Sequence, residues 1–424
     1  MANWVDLAAH SAGVPVANVV MPSNTLETSD LMPIPAFARR ENMSCDGCHT
    51  TIPRLNRLGY EYRNAGFRMP NEIGQEREID VPNMLSARIQ AEGRIKSDDN
   101  TMRFKEFTIY PATGSFGRYW SAFTELSFGP EDFWEIENAY VRGTFGQEEN
   151  HFQFRVGVFH PFEGYGASDR PMGLSRPLFQ TTPASNAGVS TFFKPWGFDQ
   201  VGLELGYTHK GFNATAAVFN GIYVNTEERK AFPFQGGELT RPGDDPNHDS
   251  KDIRILANQF IPLGNTDAAI TGVFYHGALT VPFDFDTGAN YSDTFNRWSL
   301  YGTLPLALSE DQALWLMGGA EWGRDTGIDP ATGTLLPDDF TSRGWFGEVY
   351  LPVNPYVGLS TRYAYFRPTT EVSDNAKKMF IVSTNFAALD GAQAILEYQY
   401  KSTDTGPSTS TSTNALLLRL ILIM

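Results

Sequence analysis

From residue 85 to the end the chain alternates. Leu85, Ala87, Ile89, Ala91, Gly93 and Ile95 interleave with Ser86, Arg88, Gln90, Glu92, Arg94 and Lys96. Only an extended strand sends successive side chains to opposite faces. Six such repeats therefore predict a strand with one apolar face and one polar face, about the length that crosses a bilayer. Val201, Leu203, Leu205 and Tyr207 repeat the pattern against Gln200, Glu204 and Thr208. Ala392, Ala394, Leu396, Tyr398 and Tyr400 do so against Gln393, Glu397, Gln399 and Lys401. Less regular segments between these, and a last one at 413–424, bring the expected total to about sixteen strands.

The connections decide what kind of sheet this is. From residue 145 onward they alternate in length. The stretches 161–199, 221–251, 280–293 and 324–341 are long, whereas 209–210, 262–267, 305–312 and 353–355 are short. Outer-membrane barrels have short turns at one end and longer loops at the other. A sandwich or propeller also fits glycine-rich alternating strands, but neither keeps that asymmetry, and no repeat of 40–50 residues marks propeller blades. The expected fold is all-β: an antiparallel outer-membrane β-barrel of about sixteen strands, with both termini on the short-turn, periplasmic side. Aromatics near strand ends, Trp120, Trp134, Tyr140, Tyr207, Trp298, Trp322, Trp345 and Tyr365, are expected to form interfacial girdles. The chain ends in Met424, where such barrels often end in an aromatic. The Ser/Thr run at 402–412 reads as a flexible linker.

Composition narrows the function. A net charge of −16 disfavours nucleic acid as a partner. No run of 18 or more apolar residues marks a transmembrane helix. No glycine-rich stretch continues into the Lys-Ser/Thr of a phosphate loop.

The chain has two cysteines among 424 residues. They stand three apart and are followed at once by a histidine: Cys45-Asp46-Gly47-Cys48-His49. The chance of this arrangement arising at random is roughly one in ten thousand for this composition, and C-x-x-C-H is the pattern of c-type haem attachment. Two thiols reach two neighbouring vinyl groups of one porphyrin, and the adjacent imidazole falls under the iron. A redox disulfide remains open, though no βαβ context surrounds it. A structural zinc site would need two more ligands nearby. The sixth ligand of the iron is expected to be Met69; Met43 stands too close to the motif. Haem is attached outside the cytoplasm, so a targeting signal is expected. Residues 1–35 show neither a basic n-region nor a continuous apolar h-region.

Around the motif run Pro35-Ala36-Phe37-Ala38-Arg39-Arg40, then Pro53, Leu55-Asn56, Gly59 and Gly66-Phe67. This stretch of about 35 residues resembles the fused monohaem cytochrome c–porins, the outer-membrane cytochromes of iron-oxidising bacteria, in its P-A-F-A-R and P-x-L-N-x-x-G segments. Ile136-Glu137-Asn138-Ala139-Tyr140-Val141 and Arg155-Val156-Gly157-Val158-Phe159 look like porin strands. The 34-residue stretch before the match departs from the family pattern. The resemblance implies one covalent haem c and electron transfer across the outer membrane, with ferrous iron as donor in the best-known members.

Three parts are therefore expected: an extension, 1–34; a mostly helical or coil haem segment, 35–84, plugging the lumen; and the barrel, 85–424. Of the segment's arginines Arg39, Arg40, Arg54, Arg57, Arg63 and Arg68, one or two, with Arg39 and Arg40 first, are expected at the haem propionates. Hydrogen bonds and ion pairs to the polar lumen are expected to hold the plug. Acidic side chains in the long loops, Glu227, Glu228, Glu238, Asp244, Asp245 and Asp249 in one and Asp325, Asp329, Asp338 and Asp339 in the other, read as solvated surface or as a guide for divalent cations. The expected function is a conduit between an extracellular donor, ferrous iron first, and a periplasmic cytochrome, in effect an Fe(II):cytochrome c oxidoreductase. The rival is a porin-like anchor subunit of a larger multihaem electron-transfer complex.

Overall fold

The computed structural model describes residues 36–424 except 52–53, 97–99, 130–134, 162–173, 183–184, 187–188, 191–199, 221, 225–238, 241–250, 285–288, 310–311, 327–338, 355, 390 and 407–408. Sixteen long strands close into one antiparallel barrel. They are β1 (Ser86–Lys96), β2 (Asn100–Tyr110), β3 (Trp120–Phe128), β4 (Glu135–Gln147), β5 (Asn150–Phe159), β6 (Gln200–His209), β7 (Phe212–Phe219) and β8 (Asp252–Leu263). The second half comprises β9 (Thr266–Asp284), β10 (Ala289–Ala307), β11 (Ala313–Asp325), β12 (Phe340–Asn354), β13 (Val357–Arg367), β14 (Lys377–Leu389), β15 (Ala392–Gly406) and β16 (Thr409–Ile423). The last strand pairs with the first, from Ala415 opposite Lys96 to Ile423 opposite Arg88. Closure leaves no free edge, which is what allows a sheet to sit in lipid.

The alternation sorts side chains as expected. Val201, Leu203, Leu205 and Tyr207 point outward and are exposed, whereas Gln200, Glu204 and Thr208 are buried inside. The same holds for Leu300, Leu304 and Leu306 on β10 and for Leu416, Leu418, Leu420 and Leu422 on β16. An apolar surface that surrounds the whole wall is stable against hydrocarbon rather than water. Trp120, Tyr207, Trp298, Trp322 and Trp345 are exposed on this outer face, as the girdle reading requires. Trp345 also stacks on Tyr365. Tyr140 is a correction: it is buried and faces the lumen. Trp134 lies outside the described residues.

Two loop expectations change. The Ser/Thr stretch 402–412 is largely strand, because β15 and β16 continue as a paired hairpin through Asp404 opposite Ser410. Alternating threonine suits a strand better than a linker. Much of 280–293 is likewise a continuation of β9 and β10, paired out to Asp284 opposite Ala289.

The segment 36–84 lies inside the barrel, because its partners are spread around the wall. Tyr60 donates to Asn213 on β7 (3.1 Å) and Arg57 to Asp267 on β9 (3.0 Å). Arg54 donates to Thr303 on β10 (2.5 Å) and to the Met317 sulfur on β11 (3.3 Å). Asn385 on β14 donates to Thr51 (2.5 Å), and Arg142 on β4 donates to the Arg63 carbonyl. Each of these wall residues stands near the end of its strand where the tight connections are. The insert thus occupies the tight-turn mouth. A second insert comes from the long β5–β6 connection. Its short helix Leu178–Thr181 buries Leu178, Phe179 and Gln180, and Phe179 packs against Tyr301 and Phe346. Glu397 anchors it by accepting from the Leu174 and Ser175 amides (2.9 and 3.4 Å).

Polar contacts are only part of what seats the plug. Phe37 stacks on Phe67 (4.8 Å between centroids), Phe67 on Phe123 (5.7 Å) and Phe123 on Tyr140 (5.6 Å). Such pairs contribute about 0.5–1.5 kcal/mol each beyond their buried area. The lumen wall is therefore aromatic where it meets the insert, which the expectation of a purely polar interface missed.

Candidate functional site

The motif occupies one turn of helix. The insert holds α1 (Ala36–Glu41), α2 (Cys45–Cys48) and α3 (Arg57–Asn64), with a two-stranded ribbon, His49–Thr51 and Arg54–Leu55, between the last two. Cys45 and Cys48 are the first and last residues of α2, half-buried and not bridged to each other. His49 leaves the helix in an extended conformation, its amide donating to the Cys45 carbonyl.

Asn56 and Gly59 explain the stretch that follows the motif. The Asn56 side chain caps α3 by accepting from the Gly59 amide (2.9 Å). Its amide nitrogen donates back to the carbonyls of Gly47 (2.9 Å) and Asp46 (3.4 Å), and its backbone N–H donates to the Cys48 carbonyl (2.9 Å). One side chain thus binds both helices. Gly59 permits the contact, because a Cβ there would lie 2.2 Å from the Cys48 carbonyl oxygen and 2.9 Å from Leu55. Gly59→Ala is expected to cost about 1–3 kcal/mol by overpacking and to push α3 off the motif. Trypsin should then cut at Arg57 and Arg63 faster, with the far-UV β signal unchanged. An unchanged cleavage rate would mean that the two helices do not depend on this contact.

The thiol of Cys48 sits in a desolvated setting. Burial, with smaller contributions from Glu41, Cys45 and Asp46, pushes the Cys48 thiol up to about 11. Redox C-x-x-C pairs have lowered thiol values instead. Among the described residues no cluster of three or more His, Cys, Asp or Glu able to hold a metal ion is found. Two unbridged thiols on one turn, followed by an imidazole, are the donor set that c-type haem takes.

The two methionines near the motif have different surroundings. Met69 packs against the aromatic cluster, and its backbone amide donates to Glu72 (3.3 Å). The Met43 sulfur lies 4.0 Å from the Cys48 sulfur. Met43 thus stands close to the motif, as its place in the sequence suggested.

The arginines have distinct tasks. Arg68 is 1 % exposed and donates to the carbonyls of Gln75 (3.0 Å) and Arg118 (2.7 Å), with longer contacts to Gly117 and Trp120. Arg57 pairs with Glu61 (2.7 Å) as well as Asp267. Arg39 donates to the Pro82 and Leu85 carbonyls, and Arg40 to the Ser115 carbonyl (2.7 Å). Burial lowers both guanidinium values. Arg39, Arg40 and Arg77 line a cavity of about 630 Å³ with residues 78–83. Neither cysteine nor His49 is among its lining residues. Arg77, which the sequence did not single out, pairs with Glu41 (2.7 Å) and Glu72.

Of the loop acids, Asp325 is buried in a two-pronged pair with Arg297 (2.7 and 3.0 Å), so it is wall structure rather than surface. Asp339 pairs with Arg324 (2.7 Å). Glu227, Glu228, Glu238, Asp244, Asp245, Asp249, Asp329 and Asp338 lie outside the described residues.

Fold and site together define a class: a sixteen-stranded porin-type barrel with an apolar outer face and its own N-terminal insert in the lumen. No protein-family model and no curated protein sequence matches the chain. Solved structures do. An anion-selective porin from Comamonas acidovorans is similar at a TM-score of 0.52 and 10% identity, over 80% of this chain and 98% of that one. The outer membrane channel DcaP of Acinetobacter baumannii is similar at 0.52 and 8%, over 80% and 96%. A loop L8 deletion mutant of OmpT, an outer membrane protein of Vibrio cholerae, is similar at 0.50 and 11%, over 80% and 98%. At such identities the likeness is one of fold.

Proposed function

We propose that this protein is an outer-membrane electron conduit carrying one haem c. Cys45 and Cys48 would bind the haem through thioethers, and His49 would ligate its iron. The observation that carries this reading is the C-x-x-C-H turn, clamped by Asn56 inside a porin-type lumen. When bound, haem would supply one-electron chemistry. The chain's own residues would position it and exclude water. Met69 is the proposed sixth ligand, and the Met43 sulfur stands 4.0 Å from that of Cys48. Arg39 and Arg40, at the cavity beside α1, are the proposed partners of the propionates. The long loops would face outward and the tight turns the periplasm. Electrons would pass between an extracellular donor, ferrous iron first, and a periplasmic cytochrome.

One observation favours the second reading, an anchor subunit within a multihaem complex. The motif sits at the tight-turn mouth, and the hydrocarbon core is roughly 30 Å thick, so the far mouth would need a further carrier.

A reduced-minus-oxidised spectrum of the detergent-solubilised protein separates these readings. A c-type signal raised by ferrous iron is the expected result. A signal raised only by dithionite would point to the complex. No haem signal at all would return Cys45 and Cys48 to the disulfide reading.

A further inference from the structure

On both sides of the seam of the closed wall, β14, β15, β1 and β2 present cations to the lumen toward the long-loop mouth. Alternation fixes the facing. Lys377 shares a face with buried Met379 and Ile381, Lys401 with buried Glu397 and Gln399, and Arg94 and Lys96 with buried Gln90 and Glu92. Arg419 is buried further down β16, opposite Ile395 and Glu92. Pairing brings them together. Met379 is opposite Lys401, Lys401 is opposite Thr413, and Lys96 is opposite Ala415 two residues on. Arg94 and Lys96 lie within electrostatic reach of Lys401. Arg103 adds a further cation at the rim.

The nearby carboxylates are already engaged. Glu92 accepts from Arg419 (2.5 and 3.2 Å) and lies 3.6 Å from Arg103. Glu397 accepts from the Leu174 and Ser175 amides, the Ser175 hydroxyl and Gln399. Lower in the wall, Glu106 is held by Arg88, Gln90 and Lys105. Arg94, Lys377 and Lys401 thus have no carboxylate of their own among the described residues. A chain of net charge −16 has gathered like charges on one facet of a low-dielectric wall. That arrangement is unfavourable unless an anion shares it.

We propose that this facet binds a small polyvalent oxyanion, a polycarboxylate or a polyphosphate, entering from the long-loop mouth. Lys401 and Lys377, diagonal neighbours on the lumen face, supply the charge, with Arg94 within electrostatic reach of Lys401. The site is independent of the haem reading, since no residue of the insert contributes to it.

Calorimetric titration of the full chain in detergent with citrate, and separately with pyrophosphate, tests this; acetate is the monovalent control. Binding of at least one polyvalent anion is expected. The double variant K377Q/K401Q should weaken it by about tenfold or more, since charge-assisted bonds are lost. Lys210→Gln, which removes the same kind of charge at the tight-turn end, should leave it unchanged. Whether citrate or pyrophosphate binds tells which oxyanion the facet takes. Absence of binding by both, binding untouched in K377Q/K401Q, or an equal loss in Lys210→Gln would each overturn the proposal.

Discussion

The double substitution C45S/C48S is expected to abolish covalently held haem and leave the barrel standing. These are the chain's two cysteines, so no other thiol can replace them. Both lie on a four-residue helix that forms no part of the wall, and serine occupies nearly the same volume as cysteine. The far-UV β signal should therefore persist while haem staining on a denaturing gel disappears. His49→Ala is the companion experiment: the thioethers remain, so the stain persists, but the spectrum changes because the imidazole ligand is gone. Haem retained in C45S/C48S would show that attachment does not run through this motif. A collapsed barrel would show that α2 has a structural role the geometry does not suggest.

The second large effect concerns permeability. Porin-type barrels of this size conduct when the lumen is open. Here the tight-turn mouth holds the insert and the middle holds Phe179 on its loop. Purified protein in a planar bilayer is expected to pass little current. Arg68→Ala should raise it strongly. The guanidinium is buried and serves carbonyls at Gln75, Arg118, Gly117 and Trp120, so its removal strands several acceptors at about 1–3 kcal/mol each. That is enough to unseat the insert part of the time. A wild-type conductance equal to that of an open porin, or no change in Arg68→Ala, would show that the insert is not the seal.

The barrel was legible because alternation is a strong local signal. β6 reads Val201, Leu203, Leu205, Tyr207 against Gln200, Glu204, Thr208, and each side faces as expected. β4 shows where that signal fails. Tyr140 faces the lumen with Arg142 and Thr144, while Val141 and Phe145 face out. Period two separates the faces of a strand but does not say which is lipid when both carry aromatics. The insert's contacts were less legible still. Asn56 and Gly59 stood in the quoted motif, but that one residue caps α3 and also ties down α2 depends on the turn between them. The Glu397 anchor for the β5–β6 loop joins residues 222 and 223 positions apart, a separation no local pattern reports. The cationic facet has the same character: Arg94 and Lys401 meet only because the first and last strands do.

That seam also sets an order of assembly. Arg419 and Glu92 are 327 residues apart in sequence, so the pairing that closes the wall is among the most distant contacts of the fold and its loop-closure cost is correspondingly high. The insert is continuous with β1, the strand on one side of that seam. Once the seam has joined, a folded segment can enter the lumen only through a mouth crowded by the tight turns. Biogenesis therefore favours a sequence in which the segment folds first and the sheet then wraps around it, so that the wall is built as a casing for a finished core.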